Sequence, residues 1–277
     1  MNNREEEMKR LDALLSKNMT QITAKILVLS NKGGVGKSFV ATNIAVGLSK
    51  LGAKVGILDA DIHGPSVAKM LGFEGRQPLN DGDGIIPFSI NSNLVAFSMA
   101  SLLQNPDTPV IWRGPLKMGV LKQFLAEINW GKLDYLVVDS PPGTGDEPLS
   151  IIQLIKDITG AIIVTTPQDI ALLDSRKCVY FLQQLATPIL GILENMSGLT
   201  CPNCGTKIEL FKSGGGEKAA RELGVPFLGR IPLDLHIVDS TDNGKPFVES
   251  YPDSEPTKVL MNICQLIDEK VRLRKNG

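Results

Sequence analysis

The sequence predicts a doubly wound α/β fold, in which a mostly parallel sheet carries helices on both faces. Apolar runs of strand length alternate with helix-like stretches, as in the βα units of a buried parallel sheet. A glycine-rich loop also stands directly between the first of these runs and a helix-like stretch. The predicted strands are Ile26–Leu29, Val55–Leu58, Leu136–Val138, Ala161–Val164, Ile189–Leu193 and Phe227–Ile231.

At 277 residues the chain is long enough for one large α/β domain, and a second full domain is not expected. Met8, Leu11, Leu14 and Leu15 are spaced for one face of a helix, which predicts an N-terminal helix over residues 1–20 that lies on the domain. Residues 21–277 then form a single domain, with a cysteine-containing loop at about 198–210.

The composition is that of an ordinary soluble protein, with 43% hydrophobic residues and a formal net charge of −1. This balance lacks the positive field that binds nucleic acid or anionic lipid, so we expect no nucleic-acid partner and no membrane partner. The segment from Met1 to Arg10 has no apolar signal-peptide core, and no run reaches about 18 uninterrupted apolar residues. These features predict a cytoplasmic location.

The loop after Ile26–Leu29 reads Ser30-Asn31-Lys32-Gly33-Gly34-Val35-Gly36-Lys37-Ser38. Backbone amides presented by Gly33, Gly34, Val35 and Gly36 can surround a di- or triphosphate. Lys37 can reach the β and γ oxygens, and the Ser38 hydroxyl can hold Mg²⁺. A nucleotide is therefore the first predicted ligand.

Two residues make this loop unusual. The common pattern G-x-x-x-x-G-K-[ST] has glycine where this chain has Asn31. Asparagine tolerates a left-handed backbone, so we expect the loop to turn there. Lys32 lies on the rim and is interpreted as a lysine that reaches a nucleotide held by a second subunit, the alternative being a solvated surface lysine.

Two carboxylates follow the second predicted strand, where strand ends in open α/β sheets become ligand sites. Asp61 is predicted to position the attacking water and Asp59 to support the metal. For either residue, helix capping or a charge at a strand end is the alternative.

The stretch between Gly72 and Pro115 is dense in Gly, Pro, Asn and Asp and contains short apolar runs. This pattern predicts a small β excursion or a mobile lid region.

The strand Leu136–Val138 ends in Asp139, which matches the Mg²⁺-supporting Walker B position. A second glycine-rich turn follows it, in which the Gly143 amide is predicted to contact the γ phosphate. A rigid turn without this role is the alternative.

Asn195 follows the strand Ile189–Leu193, and its amide can donate to and accept from a purine edge. An asparagine that caps a turn explains the residue as well.

Cys201 and Cys204 form a C-x-x-C knuckle in a polar loop, and two thiolates at this spacing can bind one metal together. They supply half of a four-ligand site, and a dimer that bridges one cluster across its two-fold axis would supply the rest. A zinc knuckle or a redox pair remains an alternative. Cys178 and Cys264 lie in helix-like apolar patterns and are predicted to be small buried thiols.

With these motifs, the chain resembles the Mrp/ApbC family of iron–sulfur cluster carrier ATPases, within the deviant Walker A dimeric ATPases. The similarity runs from about Lys25 to about Asp239. The segments that carry it are Lys32–Ser38, Asp59–Ser66, Trp112-Arg113-Gly114-Pro115, Asp139–Asp146, Glu194–Ser197, Cys201–Cys204 and Gly214–Lys218.

The resemblance implies ATP binding with Mg²⁺, slow ATP hydrolysis and a homodimer. It also implies a labile 4Fe-4S cluster bridged by Cys201 and Cys204 of both subunits, and delivery of that cluster to recipient apoproteins. Zinc is possible at the same cysteines. Asn31 departs from the glycine usual in the family, and the chain lacks the N-terminal cysteine cluster of eukaryotic cytosolic relatives.

A septum-site or partitioning-type ATPase that acts on membrane or DNA is the competing function. The relevant feature is a C-terminal helix with an apolar face over Val259, Leu260, Ile263, Leu266, Ile267 and Val271. Such a face lies on anionic lipid or packs on the sheet, and the basic residues at its very end favour packing. The C-x-x-C has no role in such an organiser.

Overall fold

The computed structural model describes residues 2–62, 64–82, 84–102 and 114–275. Each of the six apolar runs predicted as strands lies in a parallel strand of one sheet, which confirms the predicted fold class. Helices cover both faces of that sheet and bury most of these residues, whereas the run Phe227–Ile231, in a strand at the edge of the sheet, is only partly buried.

The strands are β1 Ile22–Leu29, β2 Val55–Asp59, β3 Leu79–Asn80, β4 Ile85–Ile86, β5 Phe88–Asn91, β6 Leu94–Ser98, β7 Leu133–Asp139, β8 Gly160–Thr165, β9 Ile189–Glu194, β10 Leu199–Thr200, β11 Lys207–Ile208 and β12 Phe227–Arg230. The helices are α1 Asn2–Thr20, α2 Lys37–Lys50, α3 Val67–Met70, α4 Gly114–Glu127, α5 Asp146–Ile155, α6 Asp169–Gln184, α7 Gly215–Leu223, α8 His236–Asp242, α9 Phe247–Ser250 and α10 Glu255–Lys275. A short 3₁₀ turn covers Met99–Leu102.

Within the described residues, the main sheet has eight strands in the order β12-β9-β8-β1-β7-β2-β6-β5. β1 lies between β7 and β8 and is parallel to both, whereas β5 pairs antiparallel with β6 at one edge. The carboxyl ends of β1, β2, β7, β8 and β9 therefore meet at one edge of the sheet, where open α/β folds bind ligands.

The two faces of β1 belong to two separate cores. Ile26 and Val28 pack with α2 and α10 on one face, and Leu27 and Leu29 pack with α4, α5 and α6 on the other. This alternation is the period-two pattern of a strand, applied to a strand that is apolar on both sides.

The N-terminal helix α1 lies against α4 and α5. Leu15 and Met19 are buried there, and the Asn18 side chain donates to the carbonyls of Ala126 and Ile128 at 2.7 and 3.0 Å. Met8, which the spacing also placed on the apolar face, is exposed, so the second half of the helix makes the buried contact.

The segment from Gly72 onward contains the predicted β excursion. β3 and β4 form an antiparallel pair, and β5 and β6 extend the main sheet. Residues 103–113, including Trp112 and Arg113, lie outside the described residues, as does His63. The lid interpretation therefore stays a prediction.

The apolar face of α10 packs on α2, as the packed interpretation of the C-terminal helix predicts. Leu260, Ile263, Ile267 and Val271 are buried, while Leu266 is exposed. Gly47 of α2 allows the close approach, because a Cβ there would lie 2.6 Å from Cys264 Sγ. Over the part of the chain that the structure describes, no helix combines the length and apolar character needed to cross a bilayer.

Candidate functional site

The glycine-rich loop joins β1 to α2 and presents the amino end of that helix. Gly34 and Gly36 adopt left-handed φ angles of 76° and 81°, and Gly36 is the residue that caps α2. A Cβ on Gly36 would lie 2.1 Å from Asn195 Nδ2, so this position requires glycine for space as well as for conformation. The loop amides and the helix terminus form an anion-binding concavity.

The loop bends at Asn31, but without the left-handed backbone that was expected there. The described non-glycine residues with positive φ are Lys156, Asp157, Ala186, Met196 and Lys212, and Asn31 is not among them. The left-handed turns are made by Gly34 and Gly36 instead, so position 31 needs no glycine. Its side chain donates from Nδ2 to Asp174 Oδ1 at 2.7 Å.

A cavity of about 850 Å³ opens over this loop. The residues that matter for its chemistry are Lys32, Gly34, Lys37, Ser38, Asp61 and Asp146. Lys37, Ser38 and Asp61 were predicted from their types and spacing, and the structure brings them to one cavity. Its size suits a nucleotide-sized ligand.

Lys37 forms a buried ion pair with Asp139, with Nζ 2.5 Å from Oδ1. The second oxygen, Asp139 Oδ2, is buried and has no hydrogen-bond partner among the described residues. Burial raises the pKa of Asp139 above its usual range, against the opposing effect of Lys37. A bound cation beside Oδ2 would satisfy this oxygen and favour the ionised carboxylate, so these residues fit the predicted Mg²⁺.

The oxygens of Asp59 accept hydrogen bonds from the protein, and the role of this residue in supporting the metal stays a prediction. Oδ1 accepts from the Asp61 amide at 3.1 Å, and Oδ2 accepts from the Ser66 amide at 3.2 Å and the Val67 amide at 3.3 Å. The Ser98 hydroxyl donates to Oδ2 as well. Both oxygens therefore hold the loop before α3, which is the capping alternative left open by the sequence.

Burial raises the pKa of Asp59 to about 7, with the nearby Asp139 carboxylate adding to the rise. Asp61 differs, because it borders the cavity and accepts from the Gly64 amide at 3.1 Å through Oδ1. Of the two carboxylates, Asp61 is the one that lines the cavity.

The Gly143 amide is already engaged within the protein. It donates to the Ser30 carbonyl at 2.8 Å, and Gly143 has a left-handed φ of 101°. The predicted contact of this amide with a γ phosphate would require that bond to break. In this structure the second glycine-rich turn is instead fastened to the start of the phosphate loop.

Asn195 contacts the phosphate loop rather than an open purine site. Its Nδ2 donates to the Val35 carbonyl at 2.9 Å, and its backbone amide donates to Thr165 at 2.8 Å. The side chain is buried, and one of the two Nδ2 hydrogens is used inside the protein. These contacts fit a structural role in shaping the loop, and the purine contact stays a prediction.

Glu194 is a site residue that residue-by-residue reasoning did not single out. It is fully buried at the end of β9, where Oε1 accepts from the Gly214 amide at 3.0 Å and Oε2 from the Gly216 amide at 2.6 Å. The Ser197 hydroxyl donates to Oε1 at 2.5 Å. An acid at the end of an apolar strand, followed along the chain by three glycines at a helix start, was the available signal.

The two cysteines of the C-x-x-C lie on a hairpin formed by β10 and β11. The hairpin is closed by bonds from the Cys201 amide to the Thr206 carbonyl and from the Gly205 amide to the Cys201 carbonyl, each 2.9 Å. Cys204 is exposed and Cys201 is partly buried. The Thr206 hydroxyl, 3.3 Å from Cys204 Sγ, is the main cause of a lowered Cys204 pKa.

The hairpin offers two thiols and no further ligand. Across the described ranges, no group of three or more His, Cys, Asp or Glu side chains is arranged to hold a metal. Cys178 and Cys264 are fully buried elsewhere, as predicted. A four-thiolate site at Cys201 and Cys204 would therefore need ligands from outside one copy of the chain.

Lys32, the unusual lysine of the loop, forms an ion pair with Asp174 of α6, with Nζ 2.8 Å from Oδ2. No local sequence pattern marks Asp174, which lies far along the chain in a helix of mixed composition.

Several relatives are similar to this chain over nearly its whole length. The chain is 50% identical to an iron-sulfur cluster carrier protein from Methanocaldococcus jannaschii over 264 residues, which covers 95% of this chain and 90% of the relative. It is 45% identical to iron-sulfur cluster carrier proteins from Methanococcus maripaludis and Saccharolobus solfataricus, over 96% and 95% of this chain and 91% and 88% of those proteins.

Solved structures agree with the fold. A nucleotide-binding protein from Archaeoglobus fulgidus, solved with ADP and cobalt, superposes with a TM-score of 0.75 at 37% identity, over 84% of this chain and 91% of that one. The cell division ATPase MinD from Pyrococcus furiosus gives a TM-score of 0.64 at 24% identity, over 89% of this chain and 98% of that one, and this likeness concerns the fold alone.

The identity with these relatives covers nearly the whole chain and is therefore not confined to the phosphate loop. Residues 21–268 also match the ParA family model described as the NUBPL iron-transfer P-loop NTPase, and the chain belongs to that family.

Proposed function

We propose that this protein is an ATP-binding and ATP-hydrolysing carrier that holds an iron–sulfur cluster between two copies of the chain and transfers it to recipient apoproteins. The carrier names of the relatives support this reading, as does the family description. Its hydrolysis is slow and coupled to cluster binding or transfer.

The observation that carries the proposal is a pair of thiols on a short hairpin, of which Cys204 is exposed and Cys201 is partly buried. Cys201 and Cys204 provide two ligands, and the described residues nearby provide no third. Two such hairpins facing each other give the four thiolates that a 4Fe-4S cluster requires. An exposed site with ligands shared by two copies suits a cargo that must leave again, and opening the dimer removes half the ligands.

For the nucleotide, the amides of Gly33, Gly34, Val35 and Gly36 surround the phosphates, and the α2 terminus adds its positive end. Lys37 exchanges its bond to Asp139 for the β and γ oxygens. Ser38 and Asp139 would hold Mg²⁺, which would offset phosphate charge. The orphaned Asp139 Oδ2 supports this assignment.

Lys32 and Asp61 are the proposed catalytic residues beside Lys37. Lys32 reaches the nucleotide of the second copy and adds positive charge opposite the transferred phosphate. Asp61 borders the cavity and accepts a hydrogen bond from the attacking water. Both roles place charge against the phosphates of a closed dimer.

A short path through the chain connects the two sites. The Val35 carbonyl of the phosphate loop is bonded to Asn195, and Glu194 beside it holds Ser197 and the glycines that begin α7. The Leu233 amide then donates to Gly198, just before the cysteine hairpin. Movement of the phosphate loop therefore reaches Cys201 through directly bonded groups.

The test is anaerobic reconstitution with iron and sulfide, measuring visible absorbance and iron per dimer. We expect about four irons per dimer for the wild type and none above background for the Cys201→Ser, Cys204→Ser double variant. The buried pair supplies a matched control, since a Cys178→Ser, Cys264→Ser variant that folds should retain its iron.

Zinc in place of iron would reduce the site to a structural knuckle and remove the carrier function. If neither metal binds, the result would favour the competing function, a septum-site or partitioning-type ATPase that acts on membrane or DNA. That alternative has lost its main sequence feature, because the apolar face of α10 is buried on α2.

A further inference from the structure

One carboxylate of α6 holds two neighbouring residues of the phosphate loop. Asp174 Oδ1 accepts from Asn31 Nδ2 at 2.7 Å, and Oδ2 pairs with Lys32 Nζ at 2.8 Å. The Ser30 hydroxyl also donates to the Lys32 carbonyl at 2.8 Å, which fixes the backbone that carries this lysine. Lys32 is thus held from both ends within its own subunit.

This position differs from the one that the proposed role of Lys32 requires. The ammonium is paired with Asp174 of its own subunit at 2.8 Å, so a move to the nucleotide of a second copy would take Lys32 away from that carboxylate. The Lys32 side chain is 47% exposed, whereas that of Asp174 is 15% exposed. The lysine can therefore leave into solvent or toward a partner, while the carboxylate stays in place.

The charges allow this exchange. An ion pair with one exposed partner contributes little net stability, and a triphosphate carries more negative charge than a single carboxylate. A mostly buried carboxylate left without any partner would be costly, however. Asn31 prevents that outcome, since its bond to Oδ1 remains when Lys32 departs from Oδ2.

We propose that Asp174 is a positioning residue for Lys32, which it holds in a resting place inside its own subunit and releases to the nucleotide of the second copy. Asn31, the departure from the usual glycine, keeps Asp174 hydrogen-bonded after that release. This proposal rests on the ATP-dependent dimer of the proposed function. Asp174 and Asn31 then set how strongly ATP shifts the equilibrium from monomer to dimer.

The test is the dimerisation of the full chain, without iron and under reducing conditions, with Mg²⁺ and a non-hydrolysable ATP analogue. Sedimentation velocity over a range of protein concentrations gives the dimer dissociation constant. Asp174→Asn, which removes the charge and keeps the shape, should lower that constant about two- to fivefold, the range of a weak ion pair. Asn31→Ala should raise the dimer dissociation constant, because release of Lys32 then leaves the Asp174 carboxylate without either of these two partners.

Lys32→Ala separates positioning from a general effect on folding. If Asp174 acts through Lys32, then adding Asp174→Asn to Lys32→Ala should leave the sedimentation behaviour of that variant unchanged, whether it is a weaker dimer or a monomer at every concentration. Binding of a fluorescent ADP to the monomer is measured for every variant, as the control for an intact phosphate loop. A charge effect that persists in the Lys32→Ala background would overturn the proposal.

The outcomes distinguish this inference from the proposed function. A wild type that stays monomeric with the ATP analogue contradicts the ATP-dependent dimer itself. A wild type that dimerises, with Asp174→Asn and Asn31→Ala both indistinguishable from it, contradicts the positioning role alone.

Discussion

The four thiols of the chain lie in two kinds of environment. Cys178 and Cys264 are buried in the two cores, and burial raises the pKa of each to about 12. Cys204 is exposed on its hairpin, and the bonds from Thr206 lower its pKa. Thiolates are the form that binds metal and reacts with electrophiles. The environment of Cys204 therefore suits a proposed metal ligand, whereas those of Cys178 and Cys264 suit residues that pack in the core.

Alkylation should follow this division. With iodoacetamide on the metal-free protein near pH 7.5, we expect Cys204 to react readily and Cys178 and Cys264 to remain unmodified until the protein unfolds, as read by peptide mass spectrometry. Thr206→Val keeps the side-chain shape and removes the hydroxyl, so it should slow the reaction of Cys204 and move its rate profile to higher pH. An unchanged profile in this variant would mean that Thr206 does not tune the thiol.

Residue types and spacing brought Lys37, Ser38 and Asp139 into one predicted site, and Lys37 contacts both of the other two. At Asn195 and Gly143 they left open whether a polar group reaches a ligand or the protein. Asn195 and Val35 are 160 positions apart in the sequence, and their bond exists because β1 and β9 end at the same edge of the sheet. A local pattern does not contain that information.

At the scale of elements, the end of β9 does the most to shape the site. Two consecutive residues there face different partners, with Asn195 bonded to the phosphate loop and Glu194 bonded to the start of α7. A Cβ at Gly215 would lie 2.1 Å from the Pro167 carbonyl, so α7 approaches the end of β8 as closely as a glycine permits. These contacts fix the loop and the helix relative to each other.

Removing the Asn195 side chain should weaken nucleotide binding. Asn195→Ala leaves the Val35 carbonyl without its buried partner, and loss of a hydrogen bond of about 1 kcal/mol corresponds to about fivefold weaker binding of MgADP by calorimetry. Asn243→Ala is the matched control, because Asn243 makes a comparable side-chain bond to the Asp239 carbonyl on the exposed helix α8. Equal affinities of the two variants would contradict a role for Asn195 in shaping the loop.

The main strands were predictable because each is a continuous apolar run between breaks. β4 was marked only as the short apolar run Ile85-Ile86 within the predicted β excursion, and β3 was not predicted, since a strand of two residues has no period to detect. The packing of α10 was predicted from the position of its basic residues, and burial of Ile263 and Ile267 confirms it.

At the scale of the whole molecule, two separate features call for a second copy of the chain. Lys32 has no proposed use within its own subunit beyond the contact with Asp174, and the cysteine hairpin has half of a ligand set. If nucleotide and cluster each stabilise the same dimer, then binding of one must strengthen binding of the other by the same factor, since the coupling free energy is shared. The sequence implied a dimer but not the sign of this coupling.

The coupling can be measured as the rate at which a chelator extracts iron from the reconstituted protein. A shared dimer predicts that Mg²⁺ and a non-hydrolysable ATP analogue slow extraction by about fivefold or more, the lower end of typical coupling between sites. Lys32→Ala should abolish the nucleotide effect while iron binding itself persists. Lys132→Ala, at an exposed lysine before the amino end of β7, should behave as the wild type.

The opposite result has an equally definite meaning. Faster extraction with the nucleotide would show that the closed dimer holds the two hairpins in a geometry unsuited to the cluster, so that ATP drives delivery and not retention. An extraction rate independent of nucleotide would contradict any path from the Val35 carbonyl through Asn195 to Cys201. Because Lys32→Ala removes the nucleotide effect under either sign, the sign and the existence of the coupling are decided separately.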